Sequence, residues 1–70
     1  MPTLDDYKIV LYRQSDGWWV AYTPAIEGCQ ALMPNKEEAL RELQVVFEMI
    51  AEEHQERRVA LPADREIALA

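Results

Sequence analysis

The residues that could support catalysis or metal binding are few in this 70-residue chain. Its acidic side chains include three adjacent pairs, Asp5-Asp6, Glu37-Glu38 and Glu52-Glu53. A hydrolytic site with two metal ions needs several carboxylates that converge on ions roughly 3.5–4 Å apart. Adjacent residues point in different directions on a helix or a strand, so these pairs do not form such a cluster. The sequence therefore predicts no metal site and no carboxylate-based catalysis.

The single histidine and the single cysteine lack residues that would activate them. His54 falls near the end of a predicted helix, where a solvated histidine is more common than a ligand or a base. Cys29 follows Gly28, and a nucleophilic thiolate needs a nearby base or a positive environment. We predict that Cys29 is a small buried residue. No catalytic residue and no cofactor is predicted, and the chain is expected not to be an enzyme.

Aromatic residues supply the remaining candidate site, which consists of Tyr12, Trp18, Trp19 and Tyr22. Such residues can stack on nucleic-acid bases, but stacking platforms usually accompany basic grooves, and cations are scarce in this part of the chain. One aromatic face of the strands is expected to be buried in the core. The other face is expected to contact a partner or another subunit, because Trp and Tyr are enriched at interface hot spots. The sequence leaves open which face does so.

These aromatic residues lie in a predicted hairpin. Tyr7 to Arg13 reads as a first strand, and Asp16-Gly17 is a strong turn signal because Gly accepts positive φ without steric cost. Trp18 to Tyr22 is aromatic, β-branched or small and predicts a second strand, which Pro24 ends by removing a donor. A loop then leads to a short third strand from Cys29 to Met33.

One helix follows the strands. Asn35 is a good N-cap, and Glu38 at the N3 position completes the pattern of a capping box. The helix is expected to end near His54 to Glu56, where the apolar periodicity fades. Its apolar residues recur at three- and four-residue spacing: Ala39, Leu40, Leu43, Val46, Phe47, Ile50 and Ala51.

The sequence of the last part of the chain predicts a connection followed by a closing element. Arg57 to Asp64 carries a turn at Leu61-Pro62, and Arg65 to Ala70 alternates polar with apolar residues in a way that suits a fourth strand, although propensity alone favours a helix. The predicted architecture is β-β-β-α-β in a single α+β domain spanning residues 1–70, with a small antiparallel sheet and one helix packed on one face. The closing strand could pair within its own subunit or with another.

The composition and the net charge of the chain indicate which partners it can have. Half of the residues are hydrophobic, yet a single cysteine allows no internal disulfide, so a chain of this size is expected to gain stability as a homo-oligomer, either a dimer or a tetramer. The net charge of −6 argues against direct nucleic-acid binding and suits a basic protein partner. No apolar run reaches the roughly 18 residues that span a bilayer, and the N-terminus lacks a signal peptide. We therefore expect no membrane association and a cytoplasmic location.

Three stretches of the chain resemble the HicB-like antitoxin family: Tyr7 to Arg13, Asp16 to Cys29 (DGWWVAYTPAIEGC) and Asn35 to Leu40 (NKEEAL). The shared features are a DG turn, an aromatic strand, a P-x-x-x-G-C reversal and a helix that opens with E-E-A. The resemblance implies a partial ribonuclease-H-like fold of three strands, a helix and a closing strand. It also implies a non-catalytic interaction protein, since family members bind and neutralise a small basic ribonuclease toxin of the HicA type.

The chain departs from the family pattern at three loop positions, Ala25, Glu27 and Pro34, where relatives often carry an acidic residue, a proline and a glycine. Many relatives also carry a C-terminal DNA-binding module, whereas this sequence runs only to Ala70. No separate DNA-binding domain is therefore expected. Two other functions stay open beside the antitoxin role: a metal-dependent nuclease-like enzyme and an orphan self-associating structural domain.

Overall fold

A computed structural model of the protein describes residues 2–64 and shows three strands followed by one long helix. The elements are β1 (Val10–Arg13), β2 (Trp19–Tyr22), β3 (Gln30–Met33) and α1 (Lys36–Arg57). All neighbouring strands are antiparallel, in the order β1-β2-β3. The predicted α+β class is confirmed, as are the antiparallel sheet and the single helix packed on one of its faces. The predicted closing strand, Arg65 to Ala70, lies outside the described residues.

The predicted hairpin between β1 and β2 is confirmed. Gly17 has a φ of 92°, which an L side chain rarely adopts, and its N–H donates to the carbonyl of Gln14 at 3.0 Å. The Asp16 carboxylate accepts the N–H of Trp18 at 2.9 Å. Both residues of the Asp-Gly pair therefore hold the turn, as their types predict.

The first strand is shorter than predicted, because pairing begins at Val10 rather than at Tyr7. The register places Val10 opposite Tyr22, so two residues earlier Lys8 would face Pro24, which has no N–H to offer the ladder. The chain before Lys8 instead forms a short 3-10 helix, Leu4–Asp6. Leu4 and Tyr7 are both buried in the core.

The connection between β2 and β3 is a buried loop. Its hydrogen bonds run from the N–H of Ile26 to the carbonyl of Thr23 (3.2 Å) and from the N–H of Cys29 to the carbonyl of Ile26 (3.1 Å). Ile26 is only 3% exposed, and Gly28 reverses the chain with a φ of 81°. Because the N–H of Cys29 serves this loop, β3 begins one residue later than predicted, at Gln30.

The helix begins as predicted and ends slightly later. Asn35 is the N-cap, and its side-chain oxygen accepts the N–H of Glu38 at 2.9 Å. The helix continues to Arg57, one residue beyond the predicted range. Arg58 then adopts the left-handed conformation with a φ of 59°. Its N–H and that of the next residue bond to carbonyls of the last turn, the pattern of a Schellman cap.

The core lies between α1 and the strands β2 and β3. Ala21 and Ala31 are buried beneath the helix, and small side chains there let the helix approach the sheet closely. Four residues of the predicted apolar stripe are fully buried: Ala39, Leu43, Phe47 and Ala51. Val46 and Ile50 pack at its edge, whereas Leu40 is 36% exposed.

Candidate functional site

The side of the sheet away from α1 is uncharged and partly exposed. The register places Tyr12, Val20 and Leu32 side by side across the three strands. Side chains alternate between the two sides of a strand, and five of the intervening residues pack in the core on the helix side: Leu11, Trp19, Ala21, Ala31 and Met33. We call the outer side the open sheet face, and it consists of Val10, Tyr12, Gln14, Trp18, Val20, Tyr22, Gln30 and Leu32.

Three of the four predicted interface residues share this open sheet face. Tyr12 is 45% exposed, Trp18 is 42% exposed, and the ring of Tyr22 meets that of Tyr12 edge-on at 6.5 Å between centroids. The fourth, Trp19, lies on the opposite side of the sheet, where it packs against the core. The sequence could not make this division, because it depends on which side of the sheet the helix covers.

The open sheet face is not flat. A depression of about 330 Å³ is lined mainly by Tyr12, Gln14, Val20, Gln30 and Leu32. Val20 lies between Tyr12 on one neighbouring strand and Leu32 on the other, and its side chain is the smallest of the three. The depression therefore lies over the middle strand, with a larger side chain on each side of it.

A second exposed surface runs along α1, opposite the buried stripe. Its members recur at spacings of four and three residues and so share one side of the helix. We call them the acidic helix surface: Glu38, Glu42, Val45, Met49, Glu52 and Glu56. Val45 and Met49, at its centre, are 45% and 65% exposed. Sequence reasoning assigned no role to this surface, although its spacing is visible in the sequence.

The charge of α1 is strongly acidic. The helix carries seven glutamates against one lysine and two arginines, and one of these arginines, Arg41, borders the acidic helix surface. Within residues 2–64, no helix is apolar and long enough to cross a bilayer.

A shallow depression of about 250 Å³ borders the acidic helix surface, where α1 approaches the end of β3. Met33 and Val45 contribute apolar wall, Glu38 and Glu42 contribute carboxylates, and Arg41 contributes a guanidinium group. Neither carboxylate forms an ion pair with any residue between positions 2 and 64. The two carboxylates outnumber the one guanidinium, so the lining keeps a net negative charge. It can accept a lysine or arginine side chain, with the stem on the apolar wall and the cation beside the carboxylates.

The prediction that Cys29 is buried is confirmed. Its side chain is 2% exposed, and its thiol contacts the hydroxyl of the equally buried Thr23 at 3.6 Å. His54 lies in the last turn of α1, as predicted, and its Nδ1 lies 2.9 Å from the carbonyl of Ile50, to which it can donate. In the described part of the chain, no three His, Cys, Asp or Glu residues lie close enough together to hold a metal ion.

Tyr7 connects the two ends of the described chain. Its ring lies 5.8 Å from that of Phe47, and its hydroxyl donates to the carbonyl of Pro62 at 2.6 Å. Burial raises the pKa of the Tyr7 hydroxyl above its ordinary value, and the nearby negative charges of Asp6 and Asp64 raise it further. The hydroxyl therefore stays protonated at neutral pH and keeps its donor role.

Comparison with known proteins gives an informative match. No family model matches the sequence, and no solved structure matches it. The chain is 39% identical over 64 residues to the UPF0150 protein ssl0259 of Synechocystis sp., and the alignment covers 90% of this chain and 88% of that protein. At that identity and coverage, the chain belongs to the UPF0150 family.

Proposed function

We propose that this chain is a non-catalytic interaction protein, resembling the HicB-like antitoxins, that binds and neutralises a small basic ribonuclease of the HicA type. The observation that carries the proposal is the acidic helix surface, with an exposed apolar centre at Val45 and Met49 and two glutamates toward each end. An apolar centre inside a charged rim is the usual anatomy of a protein interface.

The two parts of this surface have different roles in binding. Val45 and Met49 supply apolar area, and the flexible thioether of Met49 can adapt to an irregular partner surface. The glutamates attract a basic protein, raise its association rate and repel acidic partners. Affinity then comes mainly from the apolar centre, while selectivity for a basic protein comes from the charge.

The depression beside β3 gives the partner an anchor. A lysine or arginine of the ribonuclease enters it, and its cation pairs with the carboxylates of Glu38 and Glu42, which outnumber the neighbouring guanidinium of Arg41. Ribonucleases that act on RNA need cationic groups near the phosphates they bind. A chain that occupies those groups blocks the RNA, and such inhibition requires no catalytic residue of its own.

The proposal is tested by isothermal titration of the chain with a purified HicA-type ribonuclease from the same organism. Met49→Lys places a positive charge at the centre of the acidic helix surface, and we expect it to weaken binding at least tenfold. Leu32→Lys is the matched control, because Leu32 is also about half exposed but lies on the open sheet face. Leu32→Lys should leave the affinity within about twofold of the wild type. The tenfold loss expected of Met49→Lys corresponds to about 1.4 kcal/mol of binding free energy.

Two results would overturn the proposal. One is the absence of binding to the ribonuclease at micromolar concentrations of both proteins. The other is equal affinity of the wild-type chain and Met49→Lys, which would remove the acidic helix surface from the interface.

A further inference from the structure

We propose that two copies of the chain associate through their open sheet faces and form a symmetric sheet-on-sheet dimer. This inference concerns a different surface from the one assigned to the ribonuclease, so either proposal can fail without the other. The occupant of the open sheet face is a second copy of the chain, and the argument rests on charge, shape and area.

Charge separates the open sheet face from the rest of the surface. None of its eight side chains is charged at neutral pH, although 29% of the chain is charged and the net charge is −6. Two copies carry the same net charge and repel, so they associate most readily where both are neutral. The open sheet face is such a surface, and the acidic helix surface lies on the far side of the helix that covers the opposite side of the sheet.

The shape of the open sheet face suits contact with itself. The depression over Val20 lies between Tyr12 and Leu32 on the neighbouring strands. A two-fold axis can therefore place a protruding side chain of one copy into the depression of the other. Packed sheets lie about 10 Å apart, which leaves room for such interdigitated side chains.

The exposed area predicts a dimer of moderate affinity. Tyr12 and Trp18 are 45% and 42% exposed, so each offers about 90 Å² if a whole aromatic side chain presents about 200 Å². With Leu32, which is 50% exposed, and the partly exposed residues around it, the face supplies roughly 400–500 Å² per copy. A total of roughly 800–1,000 Å² falls at the low end for specific interfaces, so we expect a micromolar dissociation constant.

Pairing through the outer edge of β3 is a poorer route to a dimer. The N–H of Thr23 bonds to the carbonyl of Cys29, and continuing this alternation directs the backbone groups of Gln30 and Leu32 outward. The N–H of Gln30 is already bonded to the carbonyl of Gly28 at 3.1 Å, and Pro34 has no N–H. As far as residues 2–64 show, only Leu32 then offers a free donor along this edge, and this scarcity of donors protects the edge from strand addition.

The test is sedimentation equilibrium of the purified full chain over a concentration range from about 1 to 500 μM, which brackets micromolar dissociation constants. The wild-type chain is expected to shift from monomer to dimer within that range. Leu32→Lys and Tyr12→Lys each place a charge on the open sheet face, and each should weaken dimerisation at least tenfold while circular dichroism stays that of the wild type. Val45→Lys is the matched control on the helix, with similar exposure, and should dimerise as the wild type does.

Three results would overturn the dimer proposal. The wild-type chain could stay monomeric up to 500 μM, a limit well above the micromolar range. Folded Leu32→Lys and Tyr12→Lys could both dimerise normally. Val45→Lys could abolish the dimer, which would move self-association to the helix. Loss of ribonuclease binding in Leu32→Lys, with the wild-type chain monomeric, would assign the open sheet face to the ribonuclease instead.

Discussion

Tyr7 connects distant parts of the chain both through its ring and through its hydroxyl. Its ring packs in the core against Phe47, and its hydroxyl holds the carbonyl of Pro62, 55 positions further along the chain. The ion pair between Lys8 and Asp64, at 2.8 Å, lies beside this contact. The pair is partly exposed and contributes little alone, but the N–H of Lys8 also donates to Asp64 at 3.2 Å, and Leu61 packs against the core.

The raised pKa of Tyr7 predicts a loss of stability at alkaline pH. Since the pKa is higher in the folded state than its ordinary value of 10.0, the stabilisation is fully present below about pH 10 and is lost as the pH rises through the folded value. Tyr7→Phe removes the hydroxyl and should cost about 1 kcal/mol at pH 7. This difference from the wild type should shrink above about pH 10, as urea unfolding at several pH values would show.

Tyr12→Phe serves as the control for this experiment, because Tyr12 is exposed on the sheet. The Tyr12→Phe chain should still lose stability at alkaline pH, because it keeps the Tyr7 hydroxyl and its hydrogen bond. A constant difference between the wild type and Tyr7→Phe from pH 7 to pH 11, values that bracket the ordinary tyrosine pKa, would contradict this account of Tyr7.

The residue that caps the C-terminus of α1 has a strained backbone conformation. A Schellman cap usually places glycine at the left-handed position, but this chain has Arg58 there, with a φ of 59°. A residue with a Cβ pays roughly 1–2 kcal/mol for that conformation. The hydrogen bond of the Arg58 N–H to the last turn offsets part of this cost.

Arg58→Gly is therefore expected to stabilise the protein. The gain should be about 0.5–1 kcal/mol, because relief of strain exceeds the extra chain entropy that glycine brings to the unfolded state. Arg57→Gly is the neighbouring control at the last helical residue, and it should destabilise the protein because glycine is a poorer helix former than arginine. Thermal unfolding measures both, and a lower melting temperature for Arg58→Gly would contradict the assigned strain.

Local sequence patterns predicted the elements whose causes are local. The turn follows from Asp16-Gly17 and the helix start from Asn35, because each residue bonds to a backbone group within three positions. Arg58 carried no such signal, since glycine is the usual residue of that cap. The burial of Ile26 in a loop and the short first strand depend on tertiary packing, which a window of sequence does not contain.

The residues of the candidate site were also predictable only in part. Aromatic composition identified Tyr12, Trp18 and Tyr22, but it also selected Trp19, which packs against the core. Alternation separates the two sides of a strand without saying which one the helix covers. The acidic helix surface was visible as a periodic pattern around Val45 and Met49, yet only the burial of the opposite stripe shows that it faces outward.

The whole molecule presents two different surfaces on opposite sides of one thin core. Among residues 2–64, the antiparallel sheet has a single covering helix, which leaves one sheet face uncovered, and that face is uncharged. The far side of the helix carries the acidic helix surface. The proposals assign self-association to the first and a basic ribonuclease to the second, so a dimer would present two ribonuclease sites pointing away from each other.

The most direct test of the proposed function follows RNA cleavage by a purified HicA-type ribonuclease while the chain is added. We expect cleavage to fall in proportion to added chain and to stop near one chain per ribonuclease, because each chain carries one acidic helix surface. Met49→Lys should shift this titration to much higher concentration. Undiminished cleavage at a tenfold excess of folded wild-type chain would contradict the account.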